Sequence, residues 1–245
     1  MKNVSSVLLT LGLVIAVSCL LGALFGGLGS RFGWWDFSLG FTILRYSVYA
    51  AGAAAALAVL SGIFTMVGGQ GLRLRHFVVL AIAAIVFGVP YQARNEFRKV
   101  PTIADATTDF DNAPVFVDLV AVREQTAKNP LEFRGGETIE RQKASFPELK
   151  TLHTSMSPEQ VIAAAQAIAE TQGWEVVAAK KDEGRLEATA TTFWFGFKDD
   201  IVVRAVAAED GQTIVDARSA SRVGFLDGGA NAKRVEILMN GLDAS

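Results

Sequence analysis

Three apolar runs without charge fill the first part of the chain, and an alternating, turn-punctuated pattern replaces them downstream. Asn3 to Ser30 holds no charged residue. About 25 residues at 1.5 Å each cover roughly 37 Å, more than the ~30 Å hydrocarbon core of a bilayer, so the run is long enough for a transmembrane helix. Tyr46 to Leu72 is a second, alanine-rich run, and Phe77 to Ala93 is a third of 17 residues. The third covers roughly 25 Å, which places Arg75 and His76 at one interface and Arg94 at the other. Pro90 falls in its last turn and is expected to end or kink it. A cleaved signal peptide would also set Lys2 before an apolar core, but this core is too long and two more follow it.

Within the anchor, Gly22 and Gly26 have the small-xxx-small spacing that lets helices approach closely, with the Ala50 to Ala56 cluster as the surface they meet. Arg45, at the start of the second run, either snorkels to the headgroups or pairs with Asp36, which neighbours the interfacial Trp34 and Trp35. Orientation draws on opposed signals. Counting Arg31, Arg45, Arg94, Arg98 and Lys99 outside disfavours an inside N-terminus. Lys2 with the free amine and the compact basic hairpin Arg73-Leu-Arg75-His76 favour one, so the C-terminal part is expected outside the cytoplasm.

After Ala93 the pattern is broken by Pro101, Pro114, Pro130 and Pro147 up to about Lys150, too often for a long helix. Pro114 to Thr126 has room for a helical turn or two, with Val117, Val120 and Ala121 on one face. Ser157 to Gln172 carries full helix signals: Ser157 as cap, Pro158 at the first position, Gln160 completing a capping box and Gly173 as stop. Trp174 to Lys180, Arg185 to Phe197, Ile201 to Ala208 and Gln212 to Val223 read as strands. Lys181 to Gly184, Lys198 to Asp200 and Glu209 to Gly211 are the turns between them, short enough to force antiparallel neighbours. A last helix carries Val235, Leu238, Met239 and Leu242 on one face.

The expected fold is thus a membrane-anchored α+β protein. Three transmembrane helices are followed by an antiparallel four-stranded sheet with two helices packed on one face. Residues 1–94 form the anchor, 95–150 a proline-punctuated arm whose part from 100 onward packs with the domain, and 151–245 the α+β domain. Period two puts Ile201, Val203, Ala205, Val215 and Ala217 under the helices and Arg204, Asp216, Arg218 and Arg222 on the opposite face.

Charge sharpens the division. Residues 1–93 hold five basic residues and one acid, whereas the rest holds 18 basic and 24 acidic residues, a net of −6. An acidic domain is a poor partner for nucleic acid, whose binding rests on phosphate neutralisation. The single cysteine, Cys19, lies in an apolar run, so cysteine usage says nothing of the redox compartment.

The candidate ligand-binding residues are Arg204, Arg218 and Arg222, an anion or headgroup site if they project freely. The competing reading pairs them with Glu187, Asp216 or the backbone of the arm, the ordinary use of such residues. Gly228-Gly229 before a helix suggests a phosphate cradle, but Asp227 already occupies the positive helix end. Asp105, Asp109 and Asp111 lack the glycine turn of a calcium loop and read as a turn-forming acidic segment. His76 is placed at the membrane surface and His153 alone in a linker, no zinc spacing or nucleophile elbow is present, and Asp199-Asp200 is placed in an exposed turn. No catalytic residue, metal site or cofactor is therefore assigned.

Thr107-Thr-Asp-Phe-Asp-Asn-Ala-Pro114, Phe195-Gly-Phe-Lys-Asp-Asp-Ile-Val-Val-Arg204 and Asp216-Ala-Arg-Ser-Ala-Ser-Arg-Val-Gly224 with Gly229-Ala-Asn-Ala-Lys-Arg234 resemble the domain of unknown function 1499 family. The resemblance covers roughly residues 100 to 242. It implies a bacterial or plastid envelope setting and supplies no activity to carry over. Cysteines early in the domain in some members have no counterpart here.

Together these readings describe a multi-pass protein of a bacterial inner membrane with a periplasmic C-terminal domain. Its expected role is non-enzymatic, with membrane lipids around the anchor and the domain binding an envelope protein or a lipid headgroup. The alternative is a hydrolase or transferase acting on an anionic envelope substrate. A carboxylate or histidine lining a cleft beside Arg218 would favour the enzyme, and a flat, ion-paired face would favour binding.

Overall fold

A computed structural model describes residues 2–99, 103–133, 135–225 and 227–244. Pro101, one of the prolines that break the arm, lies outside them. The chain divides into two compact units, residues 1–95 with Phe193–Gly196, and residues 96–192 with 197–245.

The first unit is built on three long helices, α1 (Lys2–Arg31), α2 (Phe37–Val67) and α3 (Leu74–Lys99). By length and hydropathy each is able to cross a membrane. The first two pack closely because glycines remove the side chains between them. A Cβ on Gly26 would lie 2.9 Å from the Gly40 carbonyl, and one on Gly22 would lie 2.6 Å from Ser47 Oγ. Ala51, Ala54 and Ala58 are buried along the same seam, so the small-residue spacing serves packing inside the unit. The third helix joins through Val79 and Ile82. Asp36 caps α2 by accepting from Ser38 N at 2.9 Å, while Arg45 lies over the Tyr46 ring. Pro90 does not end α3, which continues to Lys99, so the first residues of the expected arm, 95–99, are helical.

In the second unit the four-strand meander is present as β3 (Glu175–Lys180), β4 (Arg185–Thr191), β5 (Lys198–Ala207) and β6 (Thr213–Ser221). The sheet has six strands, however, not four. From the arm, β1 (Asp105–Thr107) pairs antiparallel with residues 218–220 of β6, and β2 (Leu152–Thr154) pairs with residues 213–215. Two three-residue strands share one long edge. Three residues are too few to display a period-two pattern, and only the open β6 edge makes them strands.

The arm also contains two short helices, α4 (Val120–Thr126) and α5 (Glu137–Ser145). One face of the sheet is covered by α6 (Pro158–Thr171), with the expected capping box, and α7 (Ala230–Asp243). Between them and the sheet lie Ile201, Val203, Ala205, Val215 and Ala217 with Val161, Ile162, Val235 and Leu238, all buried. Asp227 accepts from Gly229 N at 3.0 Å and Asn231 N at 2.9 Å, so the carboxylate holds the start of α7. Burial pushes that carboxyl above its usual range, against the pull of those N–H groups.

The turn between β4 and β5 is displaced from its expected place. It runs through Phe193–Gly196, closed by Thr192 N donating to Phe197 O at 2.8 Å. Lys198-Asp-Asp200, expected as an exposed turn, is the start of β5, with Asp199 opposite Ser221 and Asp200 opposite Ala220.

Candidate functional site

The face of the sheet away from α6 and α7 carries the strongest charges of the domain, and the arm covers it. Alternation along β5 places Asp200, Val202 and Arg204 on this face, and along β6 Asp216, Arg218, Ala220 and Arg222. Alternation along β4 adds Glu187 and Thr189. Phe116 and Leu119 of the arm pack against Val202 and Ala220, which excludes water from the ions on either side.

Asp200 is the hub. It is fully buried and accepts from Arg222 Nε and Nη2, both at 2.8 Å, from Arg123 Nη1 at 2.8 Å and from Thr189 Oγ1 at 2.7 Å. Bidentate pairing of this kind matches the fork of the guanidinium to the two carboxylate oxygens. Arg123 enters from α4 and also donates to the Ala220 and Pro130 carbonyls, with its guanidinium 4.9 Å from the Phe116 ring. Its Nε is buried without a partner.

Arg218 makes the second bidentate pair. Its Nε and Nη2 donate to the two oxygens of Asp105, each at 2.8 Å, and it reaches the Pro114 and Leu131 carbonyls. The rings of Phe116 and Phe133 lie 5.1 and 5.7 Å from its guanidinium. Burial pushes the Asp105 carboxyl above its usual range, against the opposing pull of Arg218. Arg204 is the most exposed of the three candidate arginines, and it donates to Asp216 at 2.9 Å and Asp109 at 3.1 Å. Asp216 also accepts from Thr108 and Thr151.

Glu187 completes the layer. Fully buried, it accepts from the backbone N–H of Val117 at 2.7 Å, Asp118 at 3.2 Å and Leu119 at 2.8 Å, and pairs with Arg185. Arg185 also pairs with Asp118 and Glu183. Although burial opposes it, these carboxylates hold the Arg185 guanidinium above its ordinary range.

Arg204, Arg218 and Arg222 are therefore on one face as the alternation predicts, each facing carboxylates and each reaching a residue of the arm, Asp109, Asp105 and Thr126 in turn. Arg123 and Asp200 were not among the sequence candidates. Asp200 was legible, because it shares the parity of Arg204 on β5; the turn expected at Lys198 to Asp200, four to five residues beyond its place at Phe193–Gly196, hid it. Arg123 gave no signal beyond a basic residue on a short helix. The aspartates of the arm act as counter-ions and turn formers: Asp109 Oδ1 accepts from Asp111 N and Asn112 N.

Next to the Arg218–Asp105 pair, a cleft of about 170 Å³ is lined by Asp105, Asn129, Phe133, Thr138, Ser221 and Phe225. It is smaller than the roughly 300–1,000 Å³ common for small-molecule sites. Among its lining residues Asp105 is the one carboxylate, and both of its oxygens are held by Arg218.

No curated protein matches the chain in sequence. A family match begins at Asp105, the partner of Arg218, and ends at Leu242, so it takes in the charge layer and both covering helices. Residues 105–242 match the family described as a protein of unknown function, DUF1499, and the chain belongs to it.

Proposed function

We propose that this is a multi-pass protein of a bacterial inner membrane, and that its α+β domain lies in the periplasm and works as a binding module for another envelope protein. The observation that carries the reading is the closure of the charge layer. Bidentate and backbone hydrogen bonds hold the large buried ions in fixed pairs, so the layer shapes and stiffens the arm instead of presenting a reacting group. The clamped arm leaves Val115 and Val117 exposed, apolar positions suited to a protein partner. A lipid headgroup fits this face less well, because Arg204 stands between two carboxylates and the local balance is negative.

The enzymatic alternative has one feature in its favour, a carboxylate in a cleft beside Arg218. That carboxylate is engaged on both oxygens, so it offers no free base to a substrate in this arrangement. In this reading Arg204, Arg218 and Arg222 hold the arm.

Native purification in mild detergent with mass spectrometry of the bound material tests the module. A protein partner retained by the wild type and lost on Val115→Asp/Val117→Asp is the expected result. If Arg218→Ala and Arg222→Ala instead leave stability unchanged while removing a bound anion, the arginines serve a ligand and the reading fails. Alkaline phosphatase fused after residue 245 is expected to be active in a bacterial host, and activity only of a cytoplasmic reporter would reverse the orientation.

A further inference from the structure

The loop between β4 and β5 carries Phe193-Trp194-Phe195-Gly196, and these four residues belong to the helical unit. Three hydrogen bonds fasten them to the last turns of α1: Trp194 Nε1 donates to Leu24 O at 3.1 Å, Ser30 Oγ donates to Phe195 O at 3.2 Å, and Arg31 Nη1 donates to Phe193 O at 2.8 Å. Phe195 stacks on Phe41 of α2 with ring centroids 4.5 Å apart. Glycines make the approach possible. Gly196, at φ 68°, brings the backbone so near α1 that a Cβ would lie 2.8 Å from Arg31 Cα, and the Trp194 indole lies where a Cβ on Gly27 would project.

Docked in this way, the tip still leaves Phe193 81% exposed, and Phe32 at 62% and Trp34 at 60%, which follow Arg31 in the chain with ring centroids 5.7 Å apart, are exposed as well. The Arg31 guanidinium sits 5.7 Å from the Phe193 ring. So many large aromatic side chains facing outward around a cation is unusual for a surface that meets only water. It is the composition found at a membrane–water boundary, where aromatic rings sit at headgroup level and arginine reaches the phosphates. The position agrees, since α1 ends at Arg31 and α2 starts at Phe37, so the cluster marks the shared end of two candidate spans.

We infer that the exposed Phe193 at this tip is a lipid contact: it seats in the headgroup region of the bilayer with Phe32, Trp34 and Arg31. The inference rests on the membrane reading of the three helices. Its occupant is the bilayer interface, because the exposed aromatic surface is continuous with the ends of the apolar helices.

The test uses the full chain in phosphatidylcholine–phosphatidylglycerol vesicles. Cys19→Ala removes the native thiol, and a nitroxide is attached in turn to Phe193→Cys, to Val14→Cys on the outward face of α1, and to Lys181→Cys in the turn after β3. Collision with oxygen, which partitions into lipid, is compared with collision with a water-soluble nickel chelate. The expected result is a ratio at 193 between the lipid-exposed value at 14 and the water-exposed value at 181. A ratio at 193 equal to that at 181 overturns the lipid contact. Protection of 193 from both reagents also overturns it, by showing a protein or second copy over the tip. If position 14 itself reads as water-exposed, the membrane reading fails as well, and the two failures are told apart.

Discussion

Asp200→Ala is the most direct probe of the charge layer. The carboxylate is fully buried and is the counter-ion of both Arg123 and Arg222, with three guanidinium N–H contacts at 2.8 Å. Removing one member of a buried pair costs about 3–5 kcal/mol, because the remaining charge stays desolvated and unpaired. Here two guanidinium groups lose their partner at once, so the upper part of that range is expected. With a urea dependence of about 2 kcal/mol per molar, the loss moves the unfolding midpoint down by roughly 2 M. Pulse proteolysis of the purified full chain in detergent across a urea series reads that midpoint, with Lys181→Ala in an exposed turn as the control. Asp200→Asn is expected to be nearly as damaging, since it keeps the shape but removes the charge and turns an N–H₂ toward an arginine. A midpoint within about 0.3 M of wild type for Asp200→Ala would mean that water reaches both guanidinium groups, and the account of a closed layer would be wrong.

Two further outcomes are expected. Gly40→Ala places a methyl group against the Gly26 carbonyl and should weaken the α1–α2 contact by about 1–3 kcal/mol, whereas Gly52→Ala has open space and should not. The buried thiol of Cys19 reports this: in a thermal scan with a thiol-reactive fluorophore, labelling of Gly40→Ala should begin at lower temperature than labelling of Gly52→Ala. For Asp227, the folded carboxyl lies above its ordinary value of 3.8, so the folded state binds the proton more tightly than the unfolded state. This contribution to stability grows as pH falls through the folded value toward 3.8 and is a constant penalty at higher pH. The stability of wild type relative to Asp227→Asn should therefore improve between about pH 7 and about pH 4, and an unchanged or opposite trend in urea midpoints would refute it.

Much of this architecture was written in local pattern. Uncharged apolar runs far longer than a strand read as helices, so α1, α2 and α3 follow from length and hydropathy. Ser157, Pro158 and Gln160 mark the start of α6 because caps and first-turn residues act within a few positions of the chain. Alternation along β5 and β6 divides the valines and alanines under α6 and α7 from the arginines on the other face, because period two is a property of the strand itself.

Tertiary structure decided the rest, and in each case through a partner remote in sequence. Asp105–Thr107 and Leu152–Thr154 are strands only because β6 offers them an unpaired edge. The β4–β5 turn falls at Phe193–Gly196, where the aromatic side chains pack in the helical unit, and that placement turns Asp199 and Asp200 from exposed loop residues into buried strand residues. Whether Arg218 and Arg222 project or pair was undetermined by alternation, which fixes a face and not a neighbour. Asp105 stands 113 positions from Arg218, and only folding brings the two carboxylate oxygens onto its guanidinium.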